Sequence, residues 1–73
     1  MRMQNTTKFR DHDLVELLED LPEYQVRRGE VGVVVEVFDS PNEAFDVEFV
    51  DDSGRSSRFA YALKSAQIRR AAS

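Results

Sequence analysis

Residues 30–38, EVGVVVEVF, hold five valines in nine positions, and β-branched side chains at that density lose rotamer freedom in a helix but lie easily on a pleated strand. A second segment, AFDVEFV at 44–50, alternates Phe45, Val47 and Phe49 with Asp46 and Glu48, the period of a half-buried strand. Counting by two along the first segment puts Val31, Val33, Val35 and Val37 on one face, read as the core face, with Glu36 pointing away. Gly32 leaves a gap where a side chain is due, the mark of a bulge, a bend or the close approach of another backbone.

The remaining elements follow from what flanks these two strands. DLVELLE at 13–19 suits helical spacing through Leu14, Leu17 and Leu18 and strand spacing through Val15 and Leu17. A strand is preferred, because Leu21-Pro22 stops the segment before a helix reaches a useful length. LPEYQVRR at 21–28 reads as a long loop anchored by Leu21, Tyr24 and Val26. Asp51-Asp52-Ser53-Gly54 has the chemistry of a tight hairpin turn, with Gly54 at positive φ. The next strand runs from Arg55 to about Leu63. Phe59, Tyr61 and Leu63 share one face, preferred for the core because so short a chain has few large apolar residues to spare, and Ala60 and Ala62 share the other. A helical turn at 64–67 and a short last strand anchored by Ile68 complete the order.

Five short strands with one long first loop and tight hairpins predict an all-β fold, a small five-stranded SH3-like barrel with a flexible N-terminal arm. The arm is residues 1–12, the barrel 13–70 and the tail 71–73. Closure removes the exposed edges of an open sheet, and an open-sheet dimer is the alternative, so homo-oligomerisation stays open. At 73 residues, without cysteine, the chain has no disulfide or thiolate metal site to reinforce it and relies on a compact core. No apolar run approaches the ~20 residues that span a bilayer, and the first residues lack the apolar stretch of a signal peptide, so a soluble, cytoplasmic protein is expected.

Charge is unevenly distributed. Residues 13–63 hold 13 acidic side chains against Arg27, Arg28, Arg55 and Arg58, a balance of −9, while the segments before and after carry +2 and +3, giving −4 in all. So acidic a body repels phosphate backbones and attracts basic protein surfaces.

Sites of chemistry are sparse. His12, the single histidine, stands between Asp11 and Asp13, but a catalytic or metal site would need further partners that the sequence does not offer, and it reads as a solvated side chain near the arm. Asp51-Asp52-Ser53-Gly54 lacks the alternating spacing and later glutamate of a calcium loop. No nucleophile elbow or phosphate loop is present, so the expectation is a non-enzyme with no cofactor and no metal. Partner binding is assigned to Glu19, Asp20, Glu23 and Tyr24 in the first loop, with Glu36, Asp46 and Glu48 on the strands. The competing assignment is a basic strip for nucleic acid: Arg55, Arg58, Lys64, Arg69 and Arg70.

The strings EDLPEYQVRRGEVGVVVEVF, AFDVEFVDDSGR and ALKSAQIR together resemble the bacterial family catalogued as domain of unknown function 4926. The likeness runs from about Asp13 to Arg70 and rests on Leu21-Pro22, Arg28-Gly29, Gly32, Val47-Glu48-Phe49 and Gln67-Ile68-Arg69. It implies a barrel and no established activity. Arg28 to Val34 is also similar to the opening of other SH3-like domains, including the barrel of nitrile hydratase β subunits and transcription-factor modules. Some small proteins of this kind are encoded beside toxin-like nucleases, so the resemblance implies an antitoxin-like or immunity-like companion that binds and neutralises or regulates a basic, nearby-encoded partner. An RNA-binding or ribosome-associated barrel and an accessory domain of an enzyme complex are the alternatives.

Overall fold

The computed structural model describes residues 7–51, 53–54 and 57–71. These residues form an all-β fold of five antiparallel strands: β1 (Leu14–Leu17), β2 (Val31–Phe38), β3 (Ala44–Val50), β4 (Ser57–Leu63) and β5 (Ile68–Arg70). They lie in one sheet in the order β4-β3-β2-β1-β5. Short 3₁₀ turns at Pro22–Tyr24 and Ser65–Gln67 precede β2 and β5.

The expected closure of the barrel is not made by a hydrogen-bond ladder, since β4 and β5 are the two edges. Side chains tie the β4 edge to the β1–β2 loop instead. Tyr24 donates its hydroxyl to the Tyr61 carbonyl at 3.3 Å, and Arg58 reaches the Gln25 carbonyl at 3.1 Å and the Glu30 carboxylate at 2.9 Å. The loop itself is pinched by a bridge between Leu21 and Val26, both buried.

The inner face of the sheet carries Val15, Leu17, Val34, Phe45, Val47, Phe49, Ala60, Leu63 and Ile68, all essentially inaccessible to water. β3 follows the expected alternation. β2 does not: its inward residues are Gly32 and Val34, while Val31 and Val35 are exposed. The register between β2 and β3 shifts across Val34/Glu36, a bulge that leaves Val35 unpaired and brings Val37 back toward the core.

Gly32 explains why this parity holds. A methyl group built on it would lie 2.6 Å from the Glu48 carbonyl oxygen, 2.7 Å from Val47 Cγ1 and 2.8 Å from Phe49 Cδ1. The close approach expected at this glycine is therefore that of β3.

β4 also departs from simple alternation. Phe59 and Tyr61, expected in the core, are 39% and 54% exposed; Leu63 is buried as expected, and Ala60, from the opposite face, is buried with it. The register shift between Phe45/Val47 pairs Phe45 with Leu63 and Val47 with Ala60, so β4 carries one extra residue there. Ala62 takes φ 58° at this bulge, and its N–H, turned out of the ladder, donates to Asp46 Oδ1 at 2.8 Å. Gly54 has the positive φ, 73°, expected of the hairpin turn, and its N–H bonds the Asp51 carbonyl at 2.9 Å.

The arm expected over residues 1–12 is part of the packed body from Thr7 onward, and residues 1–6 lie outside the described residues. Phe9 is 2% exposed and meets Phe45 edge-on, with ring centroids 5.3 Å apart. The Arg70 guanidinium lies 5.8 Å from the Phe9 centroid and pairs with Asp13 at 3.1 Å. Asp13 also accepts the Arg10 N–H at 2.9 Å, while its own N–H bonds the Arg10 carbonyl. This backbone hydrogen bond from Arg10, followed by the Arg70 guanidinium, holds the Asp13 pKa below the ordinary aspartate range despite partial desolvation. At the other end of the chain, the Ala71 N–H bonds the Leu14 carbonyl, so the tail is docked through this residue.

Three stability measurements check this packing. Gly32→Ala is expected to cost about 2 kcal/mol, because backbone and two packed core side chains must move; a urea midpoint equal to that of the wild type would show that β3 does not crowd this position. Phe9→Ala is expected to cost about 3–4 kcal/mol by leaving a cavity against Phe45, whereas a loose arm would give almost no change. Asp13 is harder to protonate folded than unfolded, so its contribution is present above about pH 4 and is lost as pH falls through the lowered value. Asp13→Asn is accordingly expected to be less stable than wild type near pH 7, with the gap in urea midpoints closing as pH falls from about 5 toward 2; a gap independent of pH would refute the assignment.

Candidate functional site

Because Gly32 and Val34 face inward, β2 sends Val31 and Val33 to the outer face of the sheet. There Leu14, Val33, Glu48 and Phe59 are Cα partners in succession across β1, β2, β3 and β4, forming one row of side chains. Val31, opposite Glu16, begins the neighbouring row. Leu14, Val31 and Val50 are each about half exposed. Between them lies a groove of about 180 Å³ lined by Leu14, Val31, Gly32, Val33, Glu48 and Val50.

An aromatic ladder continues this face. Phe59 stacks on Tyr61 with centroids 6.1 Å apart and planes 12° from parallel, and Tyr61 meets Tyr24 edge-on at 6.0 Å. The rings run from the outer face round the β4 edge to the loop carrying Glu19, Asp20 and Glu23. Tyr24 is half-buried against the core, and its hydroxyl is engaged with Tyr61, so it supports the ladder and contributes only part of its ring to the surface.

The seven residues assigned to partner binding thus fall into two groups. Glu36, Asp46 and Glu48 share the outer face: Glu36 and Asp46 are Cα partners, and Glu48 stands two residues along β3. Asp46 is committed to the Ala62 N–H. Glu36 and Glu48 have no hydrogen-bond or ion-pair partner among the described residues, and Glu48 is half-buried in the groove. In the loop, Glu19 accepts from Gln67 Nε2 and Asp20 from the Arg28 N–H, both at 2.8–2.9 Å, whereas Glu23 is exposed and has no such partner among the described residues. Beside that loop a larger cleft of about 420 Å³ is lined by Asp20, Pro22, Gln25, Val26 and Arg27.

Three members of the basic strip are engaged in ion pairs. Arg58 is tied to Glu30, Arg69 to Glu16 and Arg70 to Asp13, each at 2.8–3.1 Å. Arg55 lies outside the described residues, and Lys64 is an exposed side chain ahead of the second 3₁₀ turn. A phosphate backbone is bound by cations that exchange counterions for it, and here three of those cations already serve carboxylates of the fold. His12 is exposed, and among the described residues no three His, Cys, Asp or Glu side chains converge as metal ligands. Nor is any described helix long and apolar enough to cross a membrane.

The groove residues Leu14, Val31, Val33 and Val50 were not assigned to a site from the sequence, which put Val31 and Val33 on the core face. Their signal was present in β2, where valines fill both parities, a pattern of strands covered on both faces. No curated protein and no solved structure matches the chain. A family model described as a domain of unknown function, DUF4926, matches residues 11–70, nearly the whole of the described fold, and the chain therefore belongs to that family.

Proposed function

We propose that this domain is a non-catalytic cytoplasmic interaction module that binds and neutralises, or regulates, a more basic partner protein in the manner of an antitoxin or immunity protein. One observation carries the reading: the outer face combines exposed apolar and aromatic side chains with the carboxylates of Glu36 and Glu48, which no cation among the described residues neutralises. Contiguous apolar surface with a polar rim is characteristic of protein interfaces. Carboxylates left free at such a face favour a cationic partner, steer its encounter and penalise acidic ones. Phe59 and Tyr61 are the anchors suited to supply affinity, since aromatic residues dominate interface energetics.

The loop acids Glu19, Asp20 and Glu23 extend the same negative field along the aromatic ladder. Nucleic acid is the poorer partner, because Arg58, Arg69 and Arg70 are held in ion pairs.

Co-expression of the tagged chain with the product of the adjacent open reading frame tests the proposal. The neighbour is expected to co-purify at about 50 mM salt and to be largely released near 500 mM, where screening shortens the reach of surface charge severalfold. Phe59→Ala with Tyr61→Ala is expected to weaken capture by at least tenfold while the domain remains folded, because both side chains lie outside the core. Loss of co-purification at every salt concentration would overturn the reading. Retardation of RNA that disappears on changing Arg58, Lys64, Arg69 and Arg70 to Gln would replace it with the nucleic-acid alternative, and a neighbouring enzyme subunit insoluble without this chain would replace it with an accessory role.

A further inference from the structure

We infer that the outer-face groove is an anchoring site for a single arginine side chain of the basic partner, with Glu48 as the carboxylate that receives the guanidinium. The inference rests on the proposed function and specifies which contact confers its selectivity.

Size sets the first limit. Pockets that take whole small molecules start at roughly 300 Å³, and at about 180 Å³ this groove suits one inserted side chain. Its lining sets the second. Leu14, Val31, Val33 and Val50 offer an apolar floor and walls, and Glu48 is the one charged group in the lining. Glu48 is half-buried and unpartnered among the described residues. Covering it with a wholly apolar segment would strip water from a carboxylate without compensation. A second copy of this chain, docked by two-fold symmetry over the same groove, would bring Glu48 toward its own symmetry mate, which like-charge repulsion disfavours. A phosphate would be repelled.

An arginine satisfies each of these terms. Its methylene stem lies along apolar walls while its charged head reaches a polar rim. The guanidinium can bind a carboxylate through two parallel hydrogen bonds. Phe59, the direct cross-strand partner of Glu48, adds an aromatic face next to that carboxylate, on which a guanidinium stacks better than an ammonium.

The test is a heteronuclear NMR titration of the full chain with the peptide acetyl-Leu-Arg-Val-amide and with its citrulline and lysine counterparts. The arginine peptide is expected to shift the amide signals of Val31, Val33, Glu48 and Val50 in a saturable way. Citrulline, which keeps the shape and removes the charge, is expected to weaken binding about tenfold or more, with lysine in between. Glu48→Gln should abolish the difference between arginine and citrulline, while Asp11→Asn, an exposed acid outside the groove lining and outside the set assigned to partner binding, should change affinity by less than about twofold. Dispersed spectra of both variants would confirm that each is folded. Equal binding of the three peptides, shifts spread evenly over the acidic surface, no shift at all, or concentration-dependent shifts in the groove without peptide would each overturn the inference, the last in favour of a second copy. A neighbour that co-purifies with wild type and Glu48→Gln alike would remove the anchor and leave the partner reading standing; groove-specific arginine binding without any co-purifying neighbour would do the reverse.

Discussion

The crowding of β3 against Gly32 determines which way the rest of this small sheet faces. With the Glu48 carbonyl and the Val47 and Phe49 side chains all within 3 Å of where a Cβ would sit, only glycine fits on the inner side of β2 at this level. Once Gly32 points inward, strand geometry leaves no choice for its neighbours: Val34 enters the core and Val31 and Val33 go outward. A one-residue slip would bury three valines in place of one and force Gly32 to the surface, but it would also remove the close packing of β2 on β3 that the glycine permits. The apolar groove is the outer consequence of that inner contact.

Much of the architecture was legible from local chemistry. β3 announced itself by strict alternation, the hairpin by Gly54, and the last strand by Ile68 after a polar turn, because in each case neighbouring residues carry the information. The parity of β2 was not legible, since valines on both faces look alike to any count by two. Phe59 and Tyr61 were misplaced for a related reason. The bulge at Ala62 lets Ala60 and Leu63, three apart, share the inner face, and a bulge changes the phase of a strand without changing its composition. Phe9 was missed because its burial depends on Phe45 and Arg70, both distant in sequence, while its own neighbours are polar.

The candidate site was half legible. Acidity pointed to a set of carboxylates, but only the fold separates those that support it from those left over. Asp13, Glu16 and Glu30 hold arginines; Asp46, Asp20 and Glu19 satisfy donors of turns, a bulge and a side chain; Glu23, Glu36 and Glu48 do neither among the described residues. The same division places Arg58, Arg69 and Arg70 of the basic strip in three separate ion pairs. Net charge predicts the field of a domain, and hydrogen-bond accounting shows which of its charges are available.

For a chain of this size the outer face carries a cost. A domain this short buries a modest fraction of its surface and has little stability to spare, so Leu14, Val31, Val50, Phe59 and Tyr61 would serve folding better if they were covered. Exposed apolar surface beside an edge strand also invites association with like copies. Glu48 in the lining of the groove opposes that outcome, because self-association over this face would set carboxylate near carboxylate, whereas a cationic partner would gain both the apolar contact and the charge. On the proposed reading, a half-buried carboxylate in an otherwise apolar groove is what would discriminate a basic partner from an acidic one. That combination gives physical sense to an outer face that folding alone would not favour.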